Sequence, residues 1–516
     1  MKKSAKQPMP TKAPAKSERI AAAPSLPGLP VIGVVVFGGG AIGMVLELVG
    51  SRLLAPYFGN SLFVWTSLIG VMLGFMSLGY FLGGRLADKY LDTKYLFWIL
   101  LGAAASVALI AVTQAAVLPA LAKSGSVRLF SVLSAAVLFA IPSTLLGMVS
   151  PYCIRLRMHS VEDSGATVGS LYALSTLGSI AGTFAAGFWL ISVFGSLNLV
   201  MLIAISLGAL SLLVMGRRVP WQGVALLALV LSTLGYVRVA VADDTIDTQY
   251  DRYTIREIAD PASGRPLIGL SRDQRSAESV SYADNGDPYR FEYYRYYDLA
   301  TTLRGGKVRN ALLIGGGTFS YPRLFAAANP QATLDVVEID PALYGIAKSR
   351  FGYKDDPRLR LAFEDGRTFL NRAKGPYDAV FMDAFKSQET VPYQLVTRET
   401  WQRAYDVLSD DGVVVMNVIA SPQDNRRAFF NSLLATIRSV FPEVQAFQVA
   451  AGDAEEGGIK NTSIIAMKRP GANIPAALQK SAPEFASHLY SGYQPPKGTR
   501  LFTDDYAPVD QYLLGF

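Results

Sequence analysis

The segment ALLIGGGTFSYPRLFAAANPQATLDVVEID, residues 311–340, decides the fold of this chain. Ala311 to Ile314 is a short apolar run, Gly315, Gly316 and Gly317 follow without a break, and an alanine-rich helical stretch leads to a second apolar run, Leu334 to Ile339. Short buried runs separated by a glycine turn and a helix read as one βαβ unit. Glycine opens backbone conformations closed to other residues and lets a ligand come close to the main chain, while the next helix N-terminus offers unpaired N–H groups. Glu338 closes the second strand, where a doubly wound sheet carries the carboxylate that receives ribose hydroxyls. Strand, turn, helix and acid together point to a site for a nucleotide or an S-adenosyl compound.

Working outward, Arg358 to Ala362 is a third strand that runs into Glu364-Asp365-Gly366, Tyr377 to Met382 a fourth that ends in Asp383, and Gly412 to Val418 a fifth. Glu338, Asp365 and Asp383 thus stand at successive strand ends, on the crevice where open α/β sheets bind ligands. Upstream, Tyr253 to Ile258, Pro266 to Leu270 and Ser279 to Tyr282 are short alternating runs parted by Gly, Pro and Asp, which predicts a small antiparallel sheet. Phe291 to Leu303, FEYYRYYDLATTL, reads as a helix dense in tyrosine.

The 516 residues are 51% hydrophobic and only 17% charged, and the apolar excess lies before about residue 242, so two unlike domains are fused and the first belongs in a bilayer. Seven candidate spans fall at roughly 31–50, 62–84, 95–118, 129–150, 166–194, 197–216 and 221–241. Their glycines, among them Gly70, Gly74, Gly79, Gly83, Gly84, Gly178, Gly182 and Gly187, predict close helix packing. Residues 1–29 form a basic tail too poor in large side chains to fold. That tail, Arg85 with Lys89 and Lys94, Arg155 with Arg157, and Arg217 with Arg218 share one side, which the positive-inside rule makes cytoplasmic. An odd number of spans then puts the C-terminal domain outside, whereas a cytosolic S-adenosyl compound argues for inside; the sequence leaves the sidedness open.

The net charge of +7 sits largely in the tail beside an apolar span, which argues for a membrane surface and against nucleic acid. One cysteine, Cys153, and two histidines, His159 and His488, exclude an intrachain disulfide and a Cys/His zinc cluster, and no metal is expected. Glu47 and Arg52, near the end of the first span, read as an interfacial or orienting contact. Gly83 to Lys89, GGRLADK, resembles the short loop between the second and third helices of major-facilitator transporters.

The ordered motifs ELVGSRLLAPYFGNSLFVWTSLIG, SLYALSTLGSIAGTFAAGF, YDRYTIREI, YYRYYDLA, LLIGGG, VVEIDP, EDGRTFL and YDAVFMDAF resemble the spermidine synthase family, and their arrangement resembles its membrane-fused bacterial members. The resemblance implies a multi-pass α-helical membrane domain (30–242) and a small N-terminal β-sheet with the Tyr-rich helix (243–305). An α/β Rossmann-like domain of the class I S-adenosylmethionine-dependent methyltransferase type (306–516) would follow. It implies a bacterial inner-membrane polyamine aminopropyltransferase that moves an aminopropyl group from decarboxylated S-adenosylmethionine, as co-substrate and without a further cofactor, to putrescine or a related amine, releasing methylthioadenosine. The attacking amine must be neutral, and an alkylammonium has a pKa of roughly 10, so a carboxylate has to take its proton.

By the same resemblance Asp383 is that base, Tyr296 orients the amine, and Tyr297 lies at the neighbouring substrate position. Glu338 holds the ribose, Asp365 and Gly366 the adenine side, Gln274 the sulfur or nucleoside, and Gly315, Gly316 and Gly317 give close backbone contact. Two positions depart from the family pattern. Thr318 stands where an aspartate binds the aminopropyl amine, and Lys386 where a second acid follows the catalytic one; both weaken putrescine binding, and Glu389 is the candidate replacement. A transferase using intact S-adenosylmethionine or another acceptor, and a transporter or sensor with a non-catalytic polyamine- or nucleoside-binding domain, remain as alternatives. Homo-oligomerisation is left open.

Overall fold

The computed structural model describes residues 29–59, 61–122, 127–158, 164–216, 218–240, 245–260, 262–272, 277–384, 391–449 and 461–513. The basic tail, His159, Arg217, Gln274, Lys386 and Glu389 lie outside the described residues.

The N-terminal half is a bundle of α1 (Leu29–Phe58), α2 (Leu62–Lys89), α3 (Thr93–Ala122), α4 (Val127–Arg157), α5 (Ser164–Phe194), α6 (Ser196–Met215) and α7 (Trp221–Ala240). The first six are long and apolar enough to cross a membrane, and α7 carries a shorter apolar stretch, Trp221–Val237. Large apolar side chains point outward, with Phe188 71% and Trp221 76% exposed, so the bundle has an apolar exterior as well as an apolar core. Close packing comes from some of the expected glycines. A Cβ on Gly79 would lie 2.1 Å from the Thr144 carbonyl oxygen of α4, and one on Gly178 2.1 Å from that of Phe37 in α1. Gly70, Gly74, Gly84 and Gly187 meet nothing within 4 Å, contrary to expectation. The stretch Gly83 to Lys89 is the last part of α2 rather than a loop.

Successive helices run antiparallel, so the ends of α2 and α4 and the start of α3 gather Arg85, Lys89, Lys94, Arg155 and Arg157 at one end of the bundle. The C-terminal half sits on the other end. Arg52 Nη2 donates to the Gln249 carbonyl oxygen at 2.5 Å, the Leu62 N–H to Asp510 Oδ2 at 3.0 Å, and Ser196 Oγ to Asp247 Oδ1 at 2.5 Å.

The C-terminal half starts with an antiparallel sheet ordered β1 (Thr245–Asp247), β2 (Arg252–Ala259), β3 (Pro266–Ser271), β4 (Ser279–Tyr282). The Tyr-rich segment forms α8 (Tyr294–Leu303). A second sheet follows with β5 (Asn310–Ile314), β6 (Thr333–Glu338), β7 (Leu359–Phe363), β8 (Tyr377–Met382), β9 (Leu408–Ile419), β10 (Glu443–Gln448) and β11 (Asn461–Met467). Its order is β10-β11-β9-β8-β5-β6-β7, with β5 to β9 parallel and β11 antiparallel to both of its neighbours, β9 and β10. Helices α9 (Ser320–Ala328), α10 (Ala342–Arg350), α11 (Gly366–Arg372), α12 (Arg398–Val407) and α13 (Arg427–Arg438) connect its strands. This is a Rossmann-like α/β domain of the methyltransferase type. The last two strands were not expected from the sequence, and β9 begins at Leu408 rather than Gly412.

Both faces of the central strands are buried, as parallel strands require. Ile314, Val380, Met382 and Met416 pack on one face with Trp401 and Phe430, while Leu313, Phe381 and Val415 pack on the other with Tyr297 and Tyr321. The chain runs from β5 outward to β6 and β7, then returns to β8 on the other side of β5. Such a reversal opens a crevice at the carboxyl ends of the two strands. Gly315 and Asp383 occupy those ends.

Candidate active site

Gly315 adopts φ +100°, and a Cβ there would stand 2.3 Å from the Asp383 carbonyl oxygen, so the turn can lie against the end of β8 only as glycine. The Asp383 N–H in turn donates to the Ile314 carbonyl oxygen at 2.8 Å. The N–H groups of Gly316 and Gly317 both donate to Glu338 Oε2 at 2.9 Å, and the Asp340 N–H to Oε1 at 3.0 Å. Glu338 is therefore held by backbone donors with 5% of its surface exposed, and its oxygens keep acceptor capacity for further donors such as ribose hydroxyls.

Glu338 opens into a cavity of about 320 Å³ lined also by Gly315, Asp365, Gly366, Tyr250, Asp251, Tyr253, Arg272, residues 391–395 and Asp510. Asp365 caps α11 by accepting the Thr368 N–H at 2.9 Å, which aims its other oxygen at Gln394 Nε2, 3.4 Å away. Gly366 sits so close to β5 that a Cβ would be 2.4 Å from Ile314 Cγ2. Arg272 pairs with Glu278 at 3.0 Å and Asp251 at 3.7 Å. Burial holds the Asp510 carboxyl above the ordinary carboxylate range, against the pull of the Leu62 N–H.

Asp383 continues the face of Phe381, since side chains alternate along a strand, and so lies beneath α8. The Tyr293 hydroxyl donates to its Oδ2 at 3.3 Å, and the Tyr297 hydroxyl is turned to the same carboxyl. Removal from water raises the Asp383 carboxyl from 3.8 to about 7, with the Tyr297 and Tyr293 hydroxyls pulling the other way. Burial also keeps both phenols well above their ordinary range. A carboxyl poised near neutrality beside a nucleoside-sized cavity can take a proton from a bound ammonium.

Glu338, Asp365, Gly366, Asp383, Tyr297 and the glycine turn therefore converge. Two expected residues do not. The Tyr296 hydroxyl donates to the Gln448 carbonyl oxygen at 2.9 Å and lies 2.6 Å from His488 Nδ1, far around α8 from Asp383. Neighbouring positions on a helix differ by about 100°, so Tyr296 and Tyr297 cannot share one target. Tyr293, one turn before Tyr297, takes the place given to Tyr296. Thr318 is fully buried with its hydroxyl 3.3 Å from that of Ser320, and does not line the cavity. Its N–H donates to Ser279 Oγ of β4, which clamps the turn instead of offering it an amine contact.

Residues missed from the sequence come from distant segments. Arg272, Tyr250 and Asp251 approach from the small sheet, and Asp510 from the C-terminal helix Val509–Leu513. Asn417 also joins the site: the pairing of Met382 with Met416 places it in the strand beside Asp383, on the same face. Asn417 Oδ1 and Ser463 Oγ, opposite one another in register, are buried without a hydrogen-bond partner among the described residues. The i, i+4 spacing of Tyr293 and Tyr297 was the one legible signal among these.

A family model described as the spermine/spermidine synthase domain matches residues 300–469. The polyamine aminopropyltransferase of Vibrio vulnificus is 33% identical over 226 residues, which is 43% of this chain and 71% of that protein. Polyamine aminopropyltransferase 1 of Streptomyces coelicolor is 25% identical over 353 residues, 64% of this chain and 65% of that protein, a match long enough to extend into the helical half. A crystal structure of a probable spermidine synthase from Corynebacterium glutamicum superimposes on 52% of this chain and 98% of its own, with 19% identity and a TM-score of 0.39.

Proposed function

The chain belongs to the spermidine synthase family and is an enzyme of the aminopropyltransferase type, and from that premise we propose that it transfers an aminopropyl group from decarboxylated S-adenosylmethionine to putrescine or a related amine. The observation that carries this reading is the Asp383 carboxyl, raised to about 7, across the glycine turn from a cavity whose Glu338 keeps free acceptor capacity. In the reaction so read, Asp383 takes a proton from the acceptor ammonium. The freed amine attacks the methylene next to the sulfonium, the C–N bond forms, the C–S bond breaks, and the sulfur leaves as the thioether of methylthioadenosine. Tyr293 and Tyr297 roof the base and keep bulk water from competing for the proton. Glu338 fixes the ribose, and with it the line of attack.

The test is turnover by the full-length protein in detergent with decarboxylated S-adenosylmethionine and putrescine. Methylthioadenosine and spermidine in equal amounts are expected, and an Asp383→Asn protein that turns over as fast as the native one overturns the reading. Transfer from intact S-adenosylmethionine is favoured by one observation, the Arg272 guanidinium on the cavity wall, which would attract a carboxylate. Asp251 and Glu278 already offset that charge, so the decarboxylated donor is preferred here.

We also propose that the helix bundle spans the bacterial inner membrane with its basic end in the cytoplasm, which puts the catalytic half on the opposite side. The contacts of Arg52, Leu62 and Ser196 with the C-terminal half, all at the end away from Arg85, Lys89, Arg155 and Arg157, support this. The one native cysteine, Cys153, is buried, so Lys480→Cys on the exposed surface is a clean reporter. Labelling of intact cells by a membrane-impermeant maleimide is expected, and labelling only after lysis reverses the orientation.

A further inference from the structure

The helix bundle and the cavity share a wall. Asp510 lines the cavity and receives the Leu62 N–H of α2 at 3.0 Å. Gln249, next to the cavity residues Tyr250 and Asp251, gives its carbonyl oxygen to Arg52 Nη2 of α1. Arg52 is half-buried and its second terminal nitrogen is buried without a partner among the described residues, so this carbonyl is the contact that orients the guanidinium. The same turn is tied to the ribose carboxylate. Thr248 Oγ1 donates to Asp340 Oδ2 at 2.5 Å and accepts the N–H groups of Tyr250 at 3.2 Å and Asp251 at 3.0 Å, and the Asp340 N–H holds Glu338. Ser196 of α6 secures Asp247 just upstream.

We propose that Arg52 is a positioning residue of the nucleoside site: it holds the Thr248–Asp251 turn, and through Asp340 the Glu338 carboxylate, in the shape that accepts the donor. The bundle is then a structural part of the donor site and not only its tether. Amine recognition at Asp383 lies on the far side of the glycine turn and is left untouched. This inference rests on the reading of the cavity as the site of the aminopropyl donor.

The experiment compares the full-length native protein with Arg52→Gln, Arg52→Lys and Ser196→Ala. It measures methylthioadenosine binding by calorimetry, the KM for each substrate, kcat and the melting temperature. Arg52→Gln is expected to weaken methylthioadenosine binding and raise the donor KM by about tenfold, the size lost with a hydrogen bond from a charged group, while kcat and the amine KM stay put. Arg52→Lys restores most of the affinity, because an ammonium can reach the same carbonyl. Ser196→Ala, which cuts a strut from the bundle side without touching the cavity, gives a smaller change of the same kind and keeps the test open should Arg52→Gln fail to fold. A lower melting temperature with unchanged donor KM in the folded variants overturns the inference alone. A native protein that binds no methylthioadenosine overturns the proposed function and this inference with it.

Discussion

The acid limb of the pH–rate profile is where the chemistry at Asp383 can be read most directly. One proton must leave before transfer: the attacking ammonium, whose pKa is roughly 10, arrives charged and hands its proton to the base, so the Asp383 carboxyl, which stands at about 7, must first be ionised. Log kcat/KM for the amine should therefore rise with a slope near one below about pH 7 and level off above it, and the break reports Asp383. The Tyr293 hydroxyl hydrogen-bonds to the charged form, the Tyr297 hydroxyl is turned to it, and both hold that break down. A hydrogen bond to a charged group contributes roughly 1.5–3 kcal/mol, and at 3.3 Å the Tyr293 contact belongs at the lower end. At about 1.4 kcal/mol per pH unit, Tyr293→Phe should move the break from about 7 to about 8. The variant is then about tenfold slower at pH 6 and close to native speed at pH 9.5. Stopped assays of methylthioadenosine release across pH 5.5–10 at subsaturating amine suffice. A break that stays in place, or one that moves down, refutes the argument. So does an equal loss at pH 6 and pH 9.5, since the hydroxyl would then be positioning substrate rather than tuning the base.

Three further outcomes follow from the same geometry. Because the Asp383 pKa is raised in the folded protein above its ordinary 3.8, its ionisation opposes folding, and that cost appears as pH climbs from about 4 to about 7; over that interval it is bounded at about 4 kcal/mol. Asp383→Asn should thus raise the melting temperature at pH 8 and change it little at pH 4.5, and an equal effect at both pH values contradicts burial of an ionising group. Tyr296→Phe should cost about 1–2 kcal/mol of stability through loss of the Gln448 and His488 contacts, yet leave the amine KM unchanged; a raised amine KM with intact stability would return Tyr296 to the substrate site. Glu338→Gln sets an amide nitrogen against at least one of the three backbone donors, so calorimetry should show nucleoside binding weakened by about tenfold or more, and native affinity would mean that another group holds the ribose.

What could be read ahead of the structure is what short-range chemistry encodes. The βαβ unit at residues 311–340 was legible because strand, glycine turn and terminal acid are consecutive, and Gly315 answers to a contact with the end of β8 that any side chain would obstruct. Asp365 and Asp383 were legible because strand ends are marked by the change from apolar to polar residues. Tyr296 was misassigned because adjacent tyrosines all satisfy a motif, whereas only helical phase decides which of them reach Asp383, and that phase is set by how α8 lies on β8 and β9. Thr318 looked like a lost amine contact, yet β4 takes up the turn from outside, and no local pattern announces that Ser279 will be there. The hardest part was the cavity wall. Tyr250, Arg272 and Asp510 stand far apart in the chain and meet only because the small sheet, the C-terminal helix and the ends of α1 and α2 come together. The charge at Arg52 was visible as an orienting contact, but what it orients is a backbone carbonyl, which has no residue type to recognise. A domain fused to a helix bundle can therefore hide part of its binding site in the seam between the two, where the partner of each polar group is main chain and the sequence is silent.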